Sequence, residues 1–136
     1  MANTVFKRDI NTRSLKSDLV IKNDSGGYIV TYAMAVERLA RSDKRVRIAG
    51  RCDSACTMYL GLPRARLCVE RGAYFRFHKP SAGSAQTVVA ATRFLMRKYP
   101  SWVTEWISAN GGLTGTLKTM DFQYASRYLP VCQNTA

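Results

Sequence analysis

Three short segments carry residue types able to do acyl-transfer chemistry. The first is Ser25-Gly26-Gly27. Glycine lets the backbone turn sharply, so a free N–H can point into a cavity. A strand-to-helix turn also uses glycine for purely structural reasons, and the Gly-Lys-Ser/Thr ending of a phosphate loop is absent. The second segment is Cys52-Asp53-Ser54-Ala55-Cys56. A serine at a helix start sits where unpaired N–H groups and the positive helix end favour a developing anion. The N–H of Ala55 then stands ready to donate to an oxyanion. The plainer reading is that Asp53 or Ser54 caps the helix. The third segment is Phe75-Arg76-Phe77-His78-Lys79-Pro80, and His78 is the only histidine of the chain. A lone histidine is more often a packed structural residue than a base. A serine nucleophile nevertheless needs a base, and histidine is the usual one near neutral pH.

The elements that position these segments follow from periodicity and turn chemistry. Residues 19–22 read as a strand, broken by Asp24-Ser25-Gly26-Gly27. From about Tyr28 to Arg41, Val30, Ala33, Met34, Val36, Leu39 and Ala40 recur at helical spacing. Residues 46–49 predict a second strand, ended by Gly50. A short helix runs from Ser54 to about Leu60, stopped by Gly61 and Pro63. Strands follow near 66–69 and 73–77, with Arg71-Gly72 as the turn. Residues 85–98 predict an amphipathic helix. Pro100 opens another, which Asn110-Gly111-Gly112 ends. A last short helix covers roughly 122–128. This alternation predicts an α/β domain with parallel pairing at its centre. The expected organisation is one domain over 1–136: an N-terminal arm to residue 18, an α/β core over 19–80 and a helical segment over 81–136.

In this order and spacing the three segments resemble the Clp protease/crotonase superfamily, and the Clp protease proteolytic subunit in particular. The Cys-Asp-Ser-Ala-Cys form is similar to the Cys-x-Ser-Ala-Cys of a group of Clp-protease-like bacterial proteins, often exported. The resemblance runs from Leu19 to His78, with 27 residues from Gly27 to Ser54 and 24 from Ser54 to His78. It continues more faintly to Tyr128, and the family's first helix and strand have mostly no counterpart before Leu19. It implies the ββα-unit fold of that superfamily. It also implies Ser54 as nucleophile, His78 as general base, and the N–H groups of Gly27 and Ala55 as the oxyanion hole. The family's third catalytic member is an aspartate after the long helical segment. Asp121 is the only acid beyond Glu105; the family position aligns nearer Leu117, and Asp121 serves equally well as a cap for the last helix. The segment after the histidine contacts other subunits in Clp-type proteins, which implies a homo-oligomer or a larger assembly. Trp102 and Trp106, with Tyr99 nearby, read either as core or as part of such an interface.

Bulk properties bound the function. The 136 residues suffice for one domain with its own core. With 46% hydrophobic and 22% charged residues the composition excludes a disordered chain. No apolar run is long enough to span a bilayer, and residues 1–10 have no apolar stretch of the kind a signal peptide needs. The net charge of +12 favours anionic surfaces in general. No zinc-finger spacing and no aromatic-basic RNA signature accompanies it, so sequence-specific nucleic-acid readout is not expected. The four cysteines, Cys52, Cys56, Cys68 and Cys132, do not have zinc spacing. They permit two disulfides, which would point to a periplasmic, extracellular or virion setting, or they stay reduced and partly buried. No metal or cofactor is implied. The expected function is a Clp-protease-like serine hydrolase acting on a peptide or other acyl bond. The alternative is a catalytically silent Clp-like fold used in assembly, and an acyl-CoA binder of the crotonase kind is a weaker third.

Overall fold

The computed structural model describes residues 18–133. The N-terminal arm expected over 1–18 therefore falls, apart from Asp18, outside the described residues. Strand β2 (Val46–Asp53) is the axis of the sheet. It pairs in parallel with β1 (Leu19–Asp24) on one side. On the other side its first half pairs with β3 (Leu67–Val69) and its second half with β4 (Tyr74–Phe77), again in parallel. Strand β5 (Lys118–Asp121) closes the far edge antiparallel to β4. Parallel neighbours require crossovers, and helix α1 (Ile29–Ala40) supplies the one between β1 and β2.

Strand β2 runs on through Gly50 to Asp53, beyond the stop expected there. A side chain at Gly50 would put its Cβ 2.2 Å from the Lys22 carbonyl oxygen. The β1–β2 register slips between Ile21 and Asn23, and this bulge drives the Lys22 carbonyl against β2. Glycine is needed there for close approach, not to end the strand. Residues 54–61 form a 3₁₀ helix, Ser54–Gly61. Ala55 to Leu60 are all buried in it, so this short segment passes through the centre of the molecule. It packs between the sheet and helices α1 and α2 (Ala85–Lys98). The core joins Val46, Ile48 and Cys52 of β2, Phe75 and Phe77 of β4, and Met58 and Leu60 of the 3₁₀ helix.

The segment after residue 81 is not purely helical. Helix α2 is followed by α3 (Ser101–Ala109), then β5, then the short α4 (Phe122–Ala125). Trp102 stacks on Tyr128 at 4.8 Å between ring centres, and Trp106 meets Phe77 at 5.5 Å. Both tryptophans thus take part in packing within the chain. Among the described residues no helix is long and apolar enough to cross a membrane.

All four cysteines are paired, Cys52 with Cys56 and Cys68 with Cys132. The second bridge lies beside backbone bonds from Val69 N–H to Pro130 and from Cys132 N–H to Val69, each 2.9 Å. The chain after Pro130 is thereby tied to β3. With 64 positions between its cysteines, this bridge removes a large loop entropy from the unfolded chain, worth about 4 kcal/mol on a chain-entropy basis. Urea denaturation of a Cys68→Ser/Cys132→Ser variant is expected to show a loss of about 2–4 kcal/mol. A loss below about 0.5 kcal/mol would show that the tether is dispensable.

Candidate active site

Ser54 stands where β2 ends and the 3₁₀ helix begins. Its φ is +59°, the only positive φ of a non-glycine residue among the described residues. A left-handed backbone at a side-chain-bearing residue costs about 1–2 kcal/mol. Such strain persists only where the surroundings over-determine it. Three contacts do so here. The disulfide joins Cys52 to Cys56 across the serine, with 5.3 Å between their Cα atoms. The Thr57 hydroxyl donates to the Ser54 carbonyl at 2.6 Å. Gly26, at φ +88°, lies so close that a Cβ on it would fall 2.7 Å from the Asp53 carbonyl and 2.8 Å from the Ser54 Cβ. The tethered Cys56 and the Thr57 hydroxyl both tighten the first turn, which accounts for 3₁₀ rather than α geometry.

Tyr99 extends this bracing. Its hydroxyl lies 2.5 Å from that of Thr57. The Thr57 proton goes to the Ser54 carbonyl, so the phenol is the donor. Burial pushes the Tyr99 phenol above its ordinary range. The junction of α2 and α3 is thus tied to the serine turn. Sequence reasoning missed this link, because Thr57 and Tyr99 lie 42 positions apart and neither carries a motif.

The glycine turn is built by Asp24, whose carboxylate accepts from the Gly26 N–H at 2.8 Å and from the Tyr32 hydroxyl at 2.7 Å. Burial, reinforced by that carboxylate, raises the Tyr32 phenol. Among the described residues the N–H groups of Gly27 and Ala55 have no loop acceptor. Helix α1 begins just beyond, at Ile29, without a side-chain cap. His78 follows the last residue of β4. Its strand end is held by the Lys79 N–H donating to Thr114 at 2.7 Å, and by Phe77 packed edge-on against Tyr99.

These pieces meet in one cavity of about 270 Å³ lined by Gly27, Tyr28, Ile29, Ser54, Ala55, His78, Pro80, Ser81 and Leu95. All four residues expected from the Ser-Gly-Gly, Ser-Ala and His segments are among them. No hydrogen bond joins Ser54 to His78 in this structure. Such contacts are often long without substrate and tighten when it binds.

Asp121 does not line this cavity. It pairs with Tyr74 in the β4–β5 ladder, while Phe77 faces Lys118. Tyr74 stands four residues before His78, about 13 Å along an extended strand. The Asp121 carboxylate accepts from the Tyr124 N–H at 2.9 Å and caps α4. Among the described residues no carboxylate lines the cavity. The Asp53 side chain does not cap the helix either; it binds Arg76 and Arg51 instead.

The fold is that of the Clp protease. The chain superposes on a ClpP1 N165D mutant from Listeria monocytogenes with a TM-score of 0.60 over 94% of this chain and 82% of that one, at 15% identity. No protein-family model and no curated protein sequence matches the chain.

The strain at Ser54 has a thermodynamic signature. Ser54→Gly is expected to be about 1 kcal/mol more stable than Ser54→Ala, since glycine adopts the left-handed conformation freely. Equal midpoints of chemical denaturation for the two variants would show that Ser54 is not held under strain.

Proposed function

We propose that this chain is a Clp-protease-like serine hydrolase working through a Ser54–His78 dyad. The observation that carries the reading is the convergence of Gly27, Ser54, Ala55 and His78 on one cavity. The left-handed backbone at Ser54 adds support, because a strained strand-to-helix turn is a known way of exposing a nucleophilic hydroxyl. In this reading Ser54 Oγ attacks the acyl carbon and His78 takes its proton. The oxyanion accepts from the Gly27 and Ala55 N–H groups, each worth about 3 kcal/mol in the transition state. His78 returns the proton to the leaving group. It then deprotonates water, which cleaves the acyl-enzyme and regenerates the hydroxyl. Ile29, Pro80 and Leu95 give the cavity apolar walls suited to a peptide or another acyl group.

Among the described residues no carboxylate lines the cavity to orient the His78 imidazole. In an established triad the wrong tautomer lowers the rate about 10⁴-fold. Slow turnover with measurable acylation is therefore the expected behaviour. The two disulfides favour an oxidising setting such as the periplasm, the extracellular space or a particle. Likeness to a ClpP1 subunit favours a homo-oligomer.

A second reading has its own observation. Among the described residues the cavity lacks a carboxylate, which fits a silent Clp-like fold kept for assembly, its charge of +12 directed at anionic partners. Two measurements separate the readings. A fluorophosphonate probe is expected to label the folded protein at Ser54, and Ser54→Ala and His78→Ala to lower labelling at least 100-fold. An unlabelled protein that light scattering finds in an assembly would favour the silent reading; an unlabelled monomer would count against both.

A further inference from the structure

Asp53 is only 4% exposed. A buried carboxylate is costly unless its oxygens are paired. Arg76 pairs both of them, with Nε 2.8 Å from Oδ1 and Nη2 2.7 Å from Oδ2. Arg51 Nη1 adds a 3.3 Å contact to Oδ2 while its Nε donates to the Asn23 side chain at 2.8 Å. Asp53 and Arg76 are direct register partners across β2 and β4. Asp53 immediately precedes Ser54, and Arg76 is two residues before His78.

An ion pair with a buried carboxylate and a partly exposed arginine is weak evidence of stabilisation, since two well-packed apolar residues would join the strands equally well. A planar two-point fork supplies something apolar contact does not: it fixes translation and rotation of one strand end against the other. Strand β2 ends at this contact and β4 one residue later. The fork therefore acts at the last point before the chain turns into the two cavity residues. We propose that Asp53 and Arg76 are a positioning pair that sets the separation of Ser54 and His78. This rests on the reading of those two as nucleophile and base. Neither Asp53 nor Arg76 lines the cavity, so the pair acts through its neighbours and not on substrate.

Arg76→Lys tests the pair, because lysine keeps the charge and one hydrogen bond but not the planar fork. The labelling rate at Ser54 is expected to fall about 10- to 100-fold, the effect of misplacing a reacting group by about 1 Å. The second readout needs no activity. The single histidine gives one set of imidazole NMR signals. Ser54→Ala is expected to move those signals in the wild-type background and to leave them nearly unmoved in the Arg76→Lys background. If Arg76→Lys does not fold, Asp53→Asn with Arg76→Gln takes its place, since that pair leaves no lone buried charge. A wild-type labelling rate in the folded variant, or a Ser54→Ala response that is equal in both backgrounds or absent from both, overturns the proposal. If the wild-type chain is not labelled at all, the hydrolase reading fails. The NMR comparison then still decides the positioning pair.

Discussion

Arg51–Asp53 of β2 lie beside Tyr74–Arg76 of β4 in parallel register, and the placement of Ser54 beside His78 follows from this short contact. Parallel strands end at the same edge of a sheet. Whatever follows each strand is therefore delivered to the same place, which is why ligand sites in such folds gather at the carboxyl ends of strands. Here β2 delivers Ser54, β4 delivers His78, and β1, on the other side of β2, delivers the glycine turn. A one-residue slip between β2 and β4 would reverse the facing of every side chain on the slipped strand. Phe75 and Phe77 would leave the core, where both are now buried. Hydrophobic burial thus enforces the register, and the Asp53–Arg76 contact seals it at the end where the site begins.

The same end of the molecule carries most of its local constraint. One left-handed serine is held by a disulfide, a glycine with no room for a side chain, and a hydrogen-bond chain running from the Ser54 carbonyl through the Thr57 hydroxyl to that of Tyr99. A capping serine needs none of this. Ordinary N-caps adopt extended backbone angles and cost nothing, as Ser84 does ahead of α2. The contrast between Ser54 and Ser84 is the physical reason for treating the former as more than a helix start.

How much of this was legible in the sequence depended on whether the signal was local. Helices α1 and α2 were readable from their apolar spacing, and β3 and β4 from short apolar runs around Arg71-Gly72. The Ser-Gly-Gly, Ser-Ala and His-Lys-Pro segments were readable as a set from order and spacing, and they line one cavity. Strand β5 was not, because Lys118-Thr119-Met120-Asp121 has a single inward apolar residue and no turn signal of its own. Gly50 misled, since the approach of the Lys22 carbonyl has no trace in local sequence. Whether the four cysteines pair or stay reduced was open in the sequence. Asp53 looked like a cap because its partner, Arg76, lies 23 positions away and becomes its neighbour only through parallel pairing. Asp121 looked available to the histidine for a similar reason: its pairing with Tyr74, four residues before His78, becomes visible only in the β4–β5 register.

The account stands on Ser54, His78 and the two free N–H groups acting on one centre, and a crystal structure of the fluorophosphonate-treated protein observes that centre directly. The account predicts phosphorus bonded to Ser54 Oγ. One phosphoryl oxygen should lie within about 3.2 Å of both the Gly27 and Ala55 nitrogens, with the His78 ring in hydrogen-bonding reach of the adduct. An adduct whose oxygen faces solvent with the imidazole turned away, or a protein left unmodified at Ser54, would contradict it.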